Sequence, residues 1–410
     1  MSDTTISPKA YMPVLISACL LLVLSFGYRA GFGLFMVPMS EARGWGRDVL
    51  ALALAVQNLS WGICAIIAGG IADRFGNLKV LLTGVFLYGI GMSLMATSSS
   101  ELAIVSTAGL LVGAGVAGTS FGIVLPSIAR AVPEERRGWA MGIGTAAGSF
   151  GQFLVVPVVQ VVVDAVGWQQ ALQILGISAF CMAVFCLPLA KYGGASEQKT
   201  EETITLSLWV IARRAFAVPS YRLLIFGFFV CGFHVAFITV HMPGYVVDLG
   251  FAAEVGAWSI SLIGLCNVFG AFYAGVLSGK RPMRKILTFI YLGRVVAISL
   301  FLILPVTLPS ILMFSAAMGF LWLATVPPTS GLVACFFGTR YMSFLYGIVF
   351  LSHQLGSFSG VWLGGWMYER FGNYDGIWMA GIVLGLIAAL LHWPIKEKDF
   401  SSKLAAQPAT

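Results

Sequence analysis

Apolar stretches of about twenty residues recur twelve times along this 410-residue chain, parted by short polar segments. They lie near 12–38, 49–72, 79–97, 102–129, 138–163, 169–190, 223–247, 253–278, 286–306, 309–335, 341–367 and 374–393. A helix crosses the hydrocarbon of a bilayer with about 20 mostly apolar residues. Soluble domains are roughly 45–50% apolar and about 25% charged. This chain is 59% hydrophobic and 10% charged, which excludes a water-soluble fold. Disordered, collagen-like and nucleic-acid-binding classes fall with it, so no nucleic-acid partner is expected. The expected fold class is an all-α membrane protein of twelve transmembrane helices, with the lipid bilayer as its surroundings.

The longest polar insertion, Lys191 to Arg222, stands near the middle and divides six spans from six. The expected division is therefore a six-helix bundle over 1–190, a central loop over 191–222, a second bundle over 223–393 and a tail over 394–410. Charge then sets orientation, because retained cytoplasmic loops collect Lys and Arg. With both termini inside, 19 of the 24 basic residues fall in inner segments. The outer loops keep only Arg43, Arg47 and Arg370. Both termini are expected to be cytoplasmic, and the +7 net charge reflects topology rather than an acidic partner. The polar Met1–Ala10 leads into a long apolar run with no small-residue cleavage site, so the first stretch reads as a span and not a removable signal. All seven cysteines lie in apolar stretches without CxxC or Cys/His spacing and read as small buried residues.

The halves echo one another. Gly142-Ile143 and Gly148-Ser149-Phe150-Gly151 open the fifth span; Gly347-Ile348 and Gly356-Ser357-Phe358-Ser359-Gly360 open the eleventh, its counterpart. Internal repeats of this kind build transporters with a site near the midplane, although glycine seams also recur in helix packing generally.

The loop after the second span reads Gly69-Gly70-Ile71-Ala72-Asp73-Arg74-Phe75-Gly76-Asn77-Leu78-Lys79. It resembles the G-x-L-x-D-R-x-G-R-K signature of the major facilitator superfamily, with Asn77 and Leu78 in place of the usual basic pair. The resemblance implies two pseudo-symmetric six-helix bundles, carriers that commonly work as monomers, and gating roles for Asp73, Arg74 and Gly76. The matching loop of the second half, Gly275 to Lys285, has Gly279 where the acid would stand and Pro282 where the second glycine would. Pro133-Glu134-Glu135-Arg136-Arg137-Gly138-Trp139, continuing through Gly148 to Gly151, is similar to the monocarboxylate transporter and oxalate/formate exchanger pattern, as is the first outer loop, Phe32 to Arg47. Members of that family often carry an arginine in the eighth span; here Asn267 is followed by Val268-Phe269-Gly270-Ala271-Phe272, and the span has none.

Two arginines do lie within spans. Arg29 sits among Gly27, Gly31 and Gly33 in the first, a placement that costs about 2.5–3.5 kcal/mol on insertion scales and so calls for a reason. Its functional reading is a clamp on a carboxylate; the other is an arginine satisfied by helix carbonyls. Arg294, in the ninth span, has the same two readings, and the resemblance makes its helix peripheral. His234 and His241 are seven apart and share a helix face. His353 lies mid-span beside Gln354, and His392 is expected at the interface. Tyr28, Gln57, Asn58, Gln152 and Asn267 complete the candidate substrate-binding set. No carboxylate accompanies the histidines at ligand spacing, so neither a metal nor another cofactor is expected.

The 17 carboxylates all fall in tails, loops or span ends. A cavity with two buried cations and no buried anion selects organic anions. The expected function is secondary transport of small organic anions, monocarboxylates foremost, by alternating access with protons or by exchange, in a bacterial inner membrane. The competing reading is an efflux pump for hydrophobic drugs; the fifth span lacks the G-P-x-x-G-G run that such antiporters often show. No nucleophile–base–acid set or phosphate-cradling loop argues for an enzyme. Pro327-Pro328 is expected to bend the tenth span.

Overall fold

The computed structural model describes residues 8–133, 137–192, 208–338 and 342–402. Hydrocarbon leaves backbone amides only each other to bond, so the apolar stretches coil, and no strand forms among the described residues. α1 (Pro8–Ala30) runs through a 3-10 turn, Gly31–Phe35, into α2 (Met36–Arg43). α3 (Arg47–Phe75) returns, and Gly76 at φ 90° turns the chain into α4 (Asn77–Thr97). The fourth crossing is segmented into α5 (Glu101–Ile104), a π-helical stretch Val105–Leu111, α6 (Val112–Thr119) and α7 (Phe121–Ala131). α8 (Arg137–Ala179) has 43 residues, about twice the length a bilayer needs, and bends at Gly167 with φ 79°. It supplies the fifth crossing and, with α9 (Met182–Cys186), the sixth.

After the short α10 (Leu208–Phe216) come α11 (Pro219–Asp248), α12 (Ala253–Ser278) and α13 (Met283–Ile303). The tenth crossing is α14 (Leu308–Leu321), a 3-10 turn Leu323–Thr325 and α15 (Val326–Phe337). α16 (Met342–Phe371) and α17 (Asp375–His392) complete the bundle. Among the described residues, ten stretches are long and apolar enough to cross a membrane. Residues 142–186 turn back at Gly167 and count twice, and α16, whose His353 and Gln354 lower its hydropathy, adds one more, giving twelve crossings. The break in the tenth crossing comes before the prolines: Pro327 and Pro328 occupy the first turn of α15, where a missing N–H leaves no bond unmade.

The sequence echo has a common structural use. Gly151 of α8 lies so close to α1 that a Cβ would strike the backbone of Val23. Gly356 and Gly360 of α16 stand likewise against Phe229 and Phe233 of α11, and Gly232 of α11 against His353. Each half thus packs its fifth helix on its first through glycines.

Two antiparallel seams join the halves, α3 with α16 and α8 with α12. In the first, Gly365 meets Ala51 and Asp48, and Gly62 meets Leu351 and Gln354. One heptad further along the same faces, Gly69 and Gly347 both look into open space. In the second seam Gln152 Nε2 donates to Ile260 O (2.9 Å), Ser261 Oγ to Phe153 O (2.7 Å) and Asn267 Nδ2 to Ser149 Oγ (2.9 Å). Gly142, a heptad beyond Ser149, again has nothing within 4 Å. Both seams are closed over the far face and part toward the face that carries Pro8 and the end of α17. The halves therefore enclose a vestibule open on the terminus side.

Gly356→Val is expected to lower stability by about 1–3 kcal/mol through overpacking, whereas Gly69→Ala should be neutral or slightly stabilising. Thermal unfolding of the two variants in detergent, compared with the parent, measures both.

Candidate functional site

On α3 the glycine contacts of the α3–α16 seam end at Gly62, packed on Leu351 and Gln354, and the apex of the vestibule is taken as this point. Arg29 of α1 reaches this point, half-buried. Its Nη2 donates to Asn58 Oδ1 at 2.5 Å, and its guanidinium lies 4.8 Å from the Trp61 ring. Asn58 is held in turn by its own Nδ2, which donates to Leu54 O (2.9 Å), and Trp61 Nε1 donates to Ser120 Oγ (3.0 Å). Trp61 meets Phe350 of the other half edge-on at 5.2 Å, and Phe350 stacks on His353 at 5.6 Å. His353 Nδ1 bonds Gln354 Oε1 (3.1 Å). Arg29 Nε in one half and Gln354 Nε2 in the other are buried donors without a partner, as is Nη1 of Arg294. Neither Arg29 nor Gln354 is in an ion pair: Arg29 is met by Asn58 and the Trp61 ring, and the Arg47–Asp248 pair lies elsewhere. The apex is donor-rich and acceptor-poor, which favours an acceptor-only ligand.

Arg294 meets a different environment. It is fully buried, and Nε and Nη2 both donate to Leu321 O (3.2 and 2.9 Å). Nη2 also donates to Trp322 O and to Cys231 Sγ (3.5 Å). These carbonyls are the ones α14 leaves unpaired where the tenth crossing breaks, so the guanidinium caps a helix C-terminus. Asn267 serves the other side of the break. Its Oδ1 accepts Leu323 N–H (2.9 Å) while its Nδ2 reaches Ser149 in the first half.

The remaining candidates are dispersed. Tyr28 bonds Ser178 Oγ (2.8 Å) and Gln57 donates to Ala108 O (2.9 Å), both inside the first half. Gln152 belongs to the α8–α12 seam. His234 Nε2 donates to Gly381 O of α17 (2.7 Å) and His241 Nε2 to Val361 O of α16 (2.8 Å), both inside the second half. His392, expected at the interface, is fully buried and stacked on Tyr291 at 5.0 Å, with Gly227 leaving room for its ring.

A cluster across the far face had no signal in the sequence. Arg47, at the start of α3, grips Asp248 at the end of α11 through both Nη atoms (2.5 and 2.7 Å). Its backbone N–H donates to Glu369 of α16 (2.7 Å), and its guanidinium lies 4.1 Å from the Tyr368 ring. Nη1 also reaches the Tyr374 hydroxyl at 3.4 Å. Because a carbonyl only accepts, His241 Nε2 carries the hydrogen, and Nδ1 accepts from Tyr374 O–H (3.2 Å). One arginine thus ties the first half to two helices of the second.

The profile of the Major Facilitator Superfamily matches residues 18–361. The chain belongs to that family. It is 25% identical over 408 residues to the uncharacterized MFS-type transporter YcxA of Bacillus subtilis (strain 168), covering 96% of this chain and 97% of that one. It is 23% identical over 342 residues to monocarboxylate transporter 12-B of Danio rerio, covering 75% of this chain and 70% of the other. The fold is similar to that of a bacterial homolog of the human lysosomal transporter Spinster in its inward-facing, unoccupied conformation. That match has a TM-score of 0.76 at 15% identity and covers 98% of this chain and all of the other.

In this facilitator the family's loop signature spans the end of α3 and the start of α4. Asp73 and Arg74 lie in the last turns of α3, and their side chains fall outside the described residues. Gly76 supplies the positive φ of the turn, its N–H donating to Ala72 O (3.0 Å). Asn77, which replaces a basic residue of the signature, is buried and donates to Ser127 Oγ (2.7 Å) and Leu189 O (2.9 Å). It fastens the loop to neighbouring helices of its own half.

Removing the far-face clasp should loosen that face. With the seven native cysteines replaced, Ala51→Cys is buried beside Gly365. Adding Arg47→Gln is expected to speed its labelling by a membrane-impermeant maleimide about tenfold, as for loss of a half-buried ion pair. An unchanged rate would assign closure to the seam alone.

Proposed function

We propose that this facilitator is a secondary carrier of small organic anions, monocarboxylates foremost, working by alternating access. The observation that carries the reading is Arg29 beside the contact of Trp61 with Phe350 between the halves, its guanidinium holding one side-chain hydrogen bond, to Asn58, and its Nε none. A carboxylate brings acceptors without donors, and Arg29 offers it a planar fork. Asn58 and Trp61 position that fork, and His353 approaches from the second half. Arg294, Asn267, Gln152, Gln57, Tyr28, His234 and His241 act in this reading through helix geometry, since each is fastened to other groups of the protein, with Arg294 Nη1 and His234 Nδ1 left without a partner. The similarity to proteins named monocarboxylate transporters supports the substrate class. Coupling runs with protons or by exchange of one anion for another.

The charge bias of the loops supports cytoplasmic termini, and the similarity to bacterial transporters supports a bacterial inner membrane. On that orientation the vestibule opens inward, and the Arg47 clasp closes the outer face.

A ligand that binds the folded state raises its stability by RT ln(1 + [L]/Kd), on the order of 2.7 kcal/mol at a hundredfold excess over Kd. Thermal unfolding in detergent is therefore expected to shift upward with acetate, lactate or pyruvate but not with matched amides or organic cations. Arg29→Gln, if it unfolds normally without ligand, should abolish the shift. Stabilisation by organic cations or bulky neutral drugs, indifferent to Arg29, would overturn the anion reading and favour drug efflux.

A further inference from the structure

Away from the vestibule, a groove of about 390 Å³ runs down the outer surface of the second half between α12, α13 and the tenth crossing. Its floor is a small apolar cluster of Ala274, Ile286, Ile290 and Ala324, separate from the main core. Exposed rings of Tyr273, Phe289 and Phe320 form its walls. Its terminus-side end is lined by Arg281 and Lys285, both exposed and without an ion pair. The nearby Arg284 is spent otherwise, its Nη1 on Trp393 O and its N–H on Glu397. Lys285 sits in the first turn of α13, which carries no acid, so the helix dipole adds to the positive end.

Length identifies the occupant. From Gly270 to its end at Ser278 the groove follows α12 for about 12 Å at about 1.5 Å per residue, and Arg281 stands just beyond that end. With the cations beyond the helix end, that approaches the depth of one leaflet, half of a hydrocarbon core about 30 Å thick. An apolar trench of one-leaflet depth with two cations at headgroup level matches a phospholipid acyl chain and an anionic headgroup. A free phosphate would use the mouth and leave the trench empty. We propose that this groove is a binding site for an anionic phospholipid of the leaflet on the terminus side, with Arg281 and Lys285 on the phosphate. Basic pockets between membrane helices are known to select such headgroups. The site stands apart from Arg29 and does not depend on the transported substrate.

Native mass spectrometry of the detergent-solubilised chain, with phosphatidylglycerol and phosphatidylcholine of matched acyl chains competing, reads the preference directly. Phosphatidylglycerol adducts are expected to be favoured by roughly thirtyfold at low ionic strength, the ratio two interfacial cations supply. Arg281→Gln/Lys285→Gln should erase the preference, whereas Lys191→Gln/Lys280→Gln, an equal charge change outside the groove, should keep it. Leu277→Trp, which fills the trench and leaves both cations, should also erase it. Equal retention of the two lipids, or a preference that tracks net charge in both double variants, would overturn the proposal. So would displacement of the lipid by inorganic phosphate at equal concentration, which would reduce the site to an anion site.

Discussion

A guanidinium held inside hydrocarbon has to be met by protein oxygen atoms, and the two intramembrane arginines meet that demand to different degrees. Arg294 spends Nε and Nη2 on the carbonyls of a broken helix and leaves Nη1 without a partner. Arg29 has one hydrogen bond, one aromatic face and a buried Nε with nothing opposite. The same residue type at the same sequence cost thus gives a helix-end fastening in one half and a guanidinium with a single side-chain hydrogen bond in the other. What separates them is the neighbouring backbone. A helix that ends inside the membrane offers carbonyls; an intact one offers none.

The broken tenth crossing is in turn held from both ends. Arg294 caps the carbonyls before the break, and Asn267 accepts the N–H after it. Since Asn267 also reaches Ser149, the interruption is mechanically attached to the other half of the molecule. On the far face Arg47 makes the second attachment, through Asp248, Glu369 and Tyr374. The vestibule is what remains between these fixings where the seams part.

Much of this was legible in the sequence. Span positions followed from length and hydropathy, because the bilayer fixes how long a crossing must be. The glycine echo between the fifth and eleventh spans was a packing signal, and Arg29 stood out by its cost. The direction in which a helix turns its polar side chains was not legible. α11 is apolar nearly all round, so the spacing of His234 and His241 showed that they share a face but not that the face meets α16 and α17. Arg294 was ambiguous for the same reason, since its partners exist only because α14 stops at Leu321. The clasp escaped notice because Arg47, Asp248 and Glu369 are hundreds of residues apart and each reads singly as an ordinary loop-end charge.

The glycines that face empty space carry a further consequence. Gly69, Gly142 and Gly347 lie on the continuation of contact faces that close at Gly62, Ser149 and Gln354. In a carrier that alternates as proposed, those faces are where the helices land when the far side opens. Their smallness is then held in reserve for a conformation other than this one. At such positions tolerance of a larger side chain, read from melting behaviour, and tolerance read from turnover part company: the methyl group that this state accommodates freely is a wedge in the next.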